Sequence, residues 1–159
     1  MRRLEPKYLE DLQPGTTFGG VRYAVARDEM IEFARKWDPR PIHVDDEAGR
    51  AAGFGEAIAS GAYTTAIFTR LALQSREADG GHAVIAGLGA TMSLPRPVRA
   101  NDVLEFRAEI LEVRPSQSRP DAGVVRMRAR LCDQNGETVY ESTTATLVSR
   151  RPDSLQPRC

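Results

Sequence analysis

Ile58-Ala59-Ser60-Gly61-Ala62-Tyr63-Thr64-Thr65-Ala66-Ile67-Phe68-Thr69-Arg70-Leu71 is the stretch on which the fold turns. Ser60 suits a helix N-cap, because its hydroxyl can accept from the amides that a first turn leaves without partners. After it Tyr63, Ile67 and Leu71 recur at every fourth position, and Ala62, Ala66 and Phe68 widen the apolar stripe. Asp79-Gly80-Gly81 closes the helix. At ~1.5 Å per residue, roughly seventeen residues span about 25 Å, long for a chain of this size.

Downstream the apolar period changes to two. Residues 83–94 read as a strand in which Gly87 and Gly89 predict another backbone passing close by, the helix being the candidate. Pro95-Arg96-Pro97 and Ala100-Asn101-Asp102 are turn chemistry. Leu104, Phe106, Ala108 and Ile110 share one face, and Val125, Met127, Ala129 and Leu131 alternate with Arg126, Arg128 and Arg130. Asp133-Gln134-Asn135-Gly136 is a hairpin signal leading into a last strand over 138–148. Short connections predict antiparallel neighbours.

Upstream, residues 18–26 read as a strand. Asp28 is a candidate cap, and Met30, Phe33, Ala34 and Trp37 fall on one helical face. Asp38-Pro39 ends that helix, and Pro39 and Pro41 predict an extended loop. Asp45 or Asp46 caps a short helix with Ala48, Ala51 and Ala52 inside, stopped by Gly53. The order of elements gives an α+β class, one antiparallel sheet curled around one helix. A single domain over 1–159 is expected, with its core at about 12–148 and a flexible tail at 150–159.

Lys plus Arg and Asp plus Glu number 22 each, a balance that argues against tracking a nucleic-acid backbone. The two cysteines, Cys132 and Cys159, have no metal-ligand spacing around them, so neither a metal site nor a disulfide framework is expected. No apolar run suits a leader or a membrane span, and a cytoplasmic location is the expectation.

Asp38 and His43 are the pair that can do chemistry. An imidazole titrating near neutrality can take a proton from water, and a carboxylate beside it can orient that water. By spacing alone the pair reads more readily as a turn-forming Asp and a buried structural His. Ser60-Gly61 opens a helix whose first amides are free, where a carbonyl oxygen can be polarised. Thr64, Thr65 and Thr69 interrupt the apolar helix. His82 reads as a structural or solvated loop residue. Arg96 and Arg99, in a loop at a strand end, are candidate phosphate contacts.

Asp38-Pro39-Arg40-Pro41-Ile42-His43-Val44-Asp45, then Ala48, Gly53-Phe54 and Ile58-Ala59-Ser60-Gly61, resembles the MaoC-like acyl dehydratase, or (R)-specific enoyl-CoA hydratase, family. The likeness runs from about residue 12 to 148. It implies a hotdog fold and a homodimer or a higher oligomer, with sheets joined edge to edge. It also implies an acyl-CoA thioester as substrate, with no metal or redox cofactor. Asp38 and His43 are expected to activate water, and the Gly61 amide to hold the thioester carbonyl. Ser60, Arg40 and Arg96 are expected near the substrate, and Thr69 is expected to help orient Asp38. Two positions depart from the usual pattern: Arg40 replaces an Asn, and Ser60 replaces a His. A hotdog thioesterase and a non-catalytic acyl-CoA-binding module are the competing readings.

Overall fold

The computed structural model describes residues 5–152. Strands β1 (Thr17–Ala24), β2 (Val84–Ser93), β3 (Val103–Pro115), β4 (Ala122–Cys132) and β5 (Thr138–Ser149) form one antiparallel sheet in the order β1-β3-β4-β5-β2. Between β1 and β2 lie helices α1 (Arg27–Trp37), α2 (Pro41–Val44), α3 (Asp46–Ala51) and α4 (Gly61–Ala78). The last of these covers the inner face of the sheet, the hotdog arrangement.

Alternation in β3 and β4 supplies that inner face. Leu104, Phe106, Ala108, Ala129 and Leu131 are buried against Tyr63, Ile67, Phe68, Leu71 and Ala72 of α4. The Phe68 ring lies 5.4 Å from that of Phe106 and 4.6 Å from that of Tyr140. Each such side chain contributes about 1.5–3 kcal/mol by leaving water. The arginines alternate outward as expected. Arg128 meets Glu109 at 3.1 Å and Arg126 meets Glu112 at 3.5 Å, while Arg130 pairs with Glu141 of β5. Exposed pairs of this kind add little stability each.

Several expectations are corrected. The buried stripe of α4 includes Thr64 and Ser75, whereas Ala62 and Ala66 face outward. Thr64 tolerates burial because its hydroxyl donates to the Ser60 carbonyl at 3.2 Å. In α1, Ile31 is buried and Trp37 is 65% exposed, with Lys36 Nζ 5.0 Å from the indole centre. Asp28 lies inside the first turn of α1, and Ala26 holds the cap position. Pro41 does not extend the loop. It starts α2, where its missing N–H costs nothing.

Strands β2 and β3 are not neighbours, because residues 94–102 carry the chain across to the opposite side of the sheet. Strand β2 pairs only with β5, and all ten of its residues are exposed. Its glycines answer no close approach. A Cβ at Gly87 or Gly89 would meet nothing within 4 Å, and the register shifts between them. They mark a bulge in an open edge.

The other end of α4 is closed by the residues preceding β1. Lys7 donates its amide to the Gly81 carbonyl and accepts from Ala83, both at 2.8 Å. Leu9 and Leu12 pack with Ile110, Val125, Met127 and Val148. Arg150 and Arg151, expected in a loose tail, bond Glu10 and Asp11 instead. The rest of that expected tail, 153–159, falls outside the described residues, as does Cys159. Among the described residues no helix is long and apolar enough to cross a membrane.

His82 belongs to this closure, in a structural role. Its side chain is 2% exposed, its ring is edge-on to Phe18 at 5.4 Å, and Nε2 lies 3.7 Å from Asp79 Oδ2. Burial, reinforced by Arg76, holds its pKa below the ordinary 6.5. The unfolded chain therefore takes up this proton first as pH falls. The contribution to stability is complete above about 6.5 and is lost progressively below it. The melting temperature should fall between pH 7.5 and 5, with a shallower slope in His82→Gln. Equal slopes would show that another group sets it.

Candidate active site

The site is built where α1 ends and α4 begins. Asp38 follows Trp37 as the closing residue of α1, its amide donating to the Ala34 carbonyl at 2.8 Å. Pro39 then turns the chain into Arg40 and α2, the single helical turn that carries His43. Asp45 caps α3 by accepting from the Ala48 amide at 2.8 Å. Beyond α3, residues 57–59 thread between elements. Ala57 donates to Asp46 Oδ1 at 3.0 Å, Ile58 to the Ile42 carbonyl at 3.0 Å, and Ala59 to the Val98 carbonyl at 2.9 Å. Three residues past Ile58 the chain enters α4 at Gly61.

This threading fixes the imidazole. His43 is 4% exposed, and its Nδ1 lies 2.9 Å from the Ile58 carbonyl oxygen. A carbonyl can only accept, so Nδ1 carries the hydrogen and the neutral ring presents a bare lone pair at Nε2. That nitrogen stands 3.6 Å from Asp38 Oδ2, too far for a good direct hydrogen bond. No water fits between atoms this close; one bonded to both groups would sit beside the pair, at the apex of a triangle. Arg40 grips the carboxylate from its other side, Nε to Oδ1 and Nη2 to Oδ2, both at 2.7 Å. The guanidinium's hydrogen bonds hold the Asp38 carboxyl below its ordinary pKa.

Ser60 is buried and caps α4, its hydroxyl accepting from the Tyr63 amide at 3.1 Å. Its side chain is thus spent on the helix. The Gly61 amide, by contrast, has no hydrogen-bond partner among the described residues. A Cβ at position 61 would sit 2.9 Å from a methyl of Leu94, so that side chain lies over the glycine. Leu94 is 44% exposed.

Other expected site residues are engaged elsewhere. The Thr69 hydroxyl donates to the Thr65 carbonyl at 3.0 Å, and no bond joins it to Asp38. Arg96 pairs with Glu137 at 3.1 Å. Arg99 bonds the Phe54 carbonyl and lies 3.6 Å from Glu56, a brace for the segment that enters α4. The Ile58 carbonyl was not foreseen, and a backbone acceptor leaves no trace in residue identity. A cleft of about 620 Å³ on the outer sheet face, around Glu105, Arg107 and Arg128, contains none of these groups. Its arginines are already paired with glutamates.

Comparison with known proteins agrees with this layout. The MaoC-like domain pattern matches residues 11–130. The crystal structure of a MaoC-like dehydratase from Rhodospirillum rubrum superposes with a TM-score of 0.83. It is 38% identical, over 91% of this chain and 98% of that one. A 3-hydroxybutyryl-CoA dehydratase from Methylorubrum extorquens is 27% identical over 151 residues, 92% of this chain and 87% of its own. An uncharacterized protein of Bacillus subtilis is 29% identical over 143 residues, 89% of this chain and 99% of its own. With three quarters of its length matching that pattern, the chain belongs to the MaoC-like dehydratase family.

Proposed function

We propose that the protein adds water across the double bond of a trans-2-enoyl-CoA to give an (R)-3-hydroxyacyl-CoA, or removes it in reverse. The observation that carries this reading is the anchoring of His43 Nδ1 on the Ile58 carbonyl, which turns a bare Nε2 toward Asp38. A water beside the pair donates one hydrogen to each acceptor and turns its oxygen lone pairs to the substrate. The thioester carbonyl accepts from the free Gly61 amide, which draws charge from the β-carbon. The water oxygen bonds that carbon as its proton passes to Nε2. The enolate then regains a proton at the α-carbon, so atoms and charge balance. Leu94, lying over Gly61, swings aside to admit the thioester.

The active form is a homodimer. Strand β2 presents an unpaired edge with Val84, Ile85, Leu88 and Met92 all exposed. An edge of that length and apolarity is normally covered. A second copy pairing there lies beside Leu94 and the entrance to α4.

Crotonyl-CoA and saturated acyl-CoAs test the reaction, followed by enoyl absorbance and by free thiol. Absorbance should fall with no thiol released, and the protein should sediment at twice the chain mass. Thiol release would make it a thioesterase. Binding without turnover would make it a non-catalytic acyl-CoA-binding module.

A further inference from the structure

We infer that Arg40 is a positioning residue that pins Asp38 as a permanent carboxylate and leaves His43 as the only proton carrier of the site. The inference rests on the hydratase reading and deepens it. Arg40 stands between two prolines, and Asp38 precedes the first of them. Pro39 and Pro41 each fix their own φ and keep the preceding residue out of the helical region. Asp38 accordingly has φ −153° and ψ 70°, and Arg40 has φ −62° and ψ 139°. The backbone between the two side chains is thus set before they meet. The guanidinium closes on the carboxylate two residues earlier through two parallel bonds of 2.7 Å. An asparagine at position 40 is uncharged and offers no such fork.

Each Asp38 oxygen gives one lone pair to Arg40. What remains on Oδ2 faces His43 Nε2 at 3.6 Å. Arg40 and His43 are the charged and titratable groups acting on Asp38, and the guanidinium's bonds dominate in keeping the proton off it. A carboxylate so held accepts a hydrogen bond from water but is a poor base. The proton leaving water therefore goes to Nε2, and the same nitrogen returns it to the α-carbon. Arg40 itself is 66% exposed along its side chain, and its Nε and one Nη2 hydrogen are engaged on Asp38.

Two measurements on wild type, Arg40→Asn and Arg40→Lys test this. The side-chain carbon of Asp38, followed by NMR against pH without substrate, should titrate below the carboxylate range in wild type. In Arg40→Asn it should move up into that range, with Arg40→Lys between. In the rate profile of crotonyl-CoA hydration, Asp38 without the guanidinium's hydrogen bonds takes a proton at higher pH. The acidic limb of kcat should move upward in Arg40→Asn with KM unchanged. An Asp38 titration indifferent to residue 40 overturns the inference. So does a rise in KM with the kcat profile unmoved, which makes Arg40 a substrate contact. A wild type that leaves crotonyl-CoA untouched sinks the hydratase reading instead, and the substrate-free titration distinguishes that failure from this one.

Discussion

His43→Ala should lower the proposed hydration of crotonyl-CoA by about 10²–10⁴-fold, the usual worth of a positioned acid–base group. The loss follows from what the ring alone supplies here. Among the described residues Nε2 makes no direct hydrogen bond, and Ile58 keeps it turned toward Asp38 at 3.6 Å. Asp38→Asn should cost turnover on a similar scale, because the amide has one acceptor oxygen instead of two and loses the pairing with Arg40. As the proposed mechanism has both groups act on a single water, the double variant should be little worse than either alone. Removing the ring leaves a buried Ile58 carbonyl unsatisfied, at about 1–3 kcal/mol. A thermal melt separates that loss from the kinetic one, and Asp38→Asn, whose side chain touches the surface, keeps the test available if His43→Ala folds poorly. Full turnover in both variants would remove these residues from the mechanism.

Gly49→Ala is the second large effect. A Cβ at position 49 would lie 2.0 Å from the Glu56 carbonyl oxygen, 2.3 Å from its carbon and 2.7 Å from the Ala57 nitrogen. All three are backbone atoms, so no rotamer relieves the clash. Nor can the segment slide away freely, because Asp46, Ile42 and Val98 hold residues 57, 58 and 59 by hydrogen bonds. Overpacking of this kind costs about 1–3 kcal/mol, occasionally more. At roughly 2–4 °C per kcal/mol for a chain of this size, the melting temperature should drop by about 2–12 °C. Turnover should fall as well, even where the variant is folded, since the displaced segment carries the carbonyl that orients His43. Gly87→Ala is the control, with nothing within 4 Å of the added methyl. If both variants melt like wild type, α3 does not pack on this segment as described.

Gly49 also shows where reading the sequence stops. The short helix looked as if its alanines faced inward, since alanine is apolar and glycine carries no hydropathy signal. Yet Ala51 and Ala52 are exposed, and Gly49 is buried because only a hydrogen fits against Glu56. The same weakness misplaced Ala62 and Ala66. A small apolar residue tolerates either face of a helix, whereas Thr64 can go inside by bonding one turn back. Trp37 sits at the right spacing but at the last turn of α1, past the end of the core. Elements with large side chains in strict period were legible throughout: α4 within a residue or two, the inner faces of β3 and β4, and the turn at 133–136. Of the site, the Asp38–His43 pair and the Ser60 cap could be read from residue types. The Arg40 clamp and the Ile58 acceptor could not, because both depend on where the chain folds back. Strand order was missed at β2 for the same reason, since a proline-bracketed crossing of nine residues looks locally like any turn.

Glu10 and Asp11 hold Arg150 and Arg151, which brings the start and finish of the described chain to one corner. That corner adjoins Lys7 and Gly81, at the far end of α4 from Gly61. With 18 residues in the helix, the separation is roughly 27 Å at ~1.5 Å per residue. A dye, an affinity handle or a tether joined through either side of that corner thus reports from a single place, a helix length away from the reacting atoms. Protein immobilised through that corner should present its chemistry to the solution.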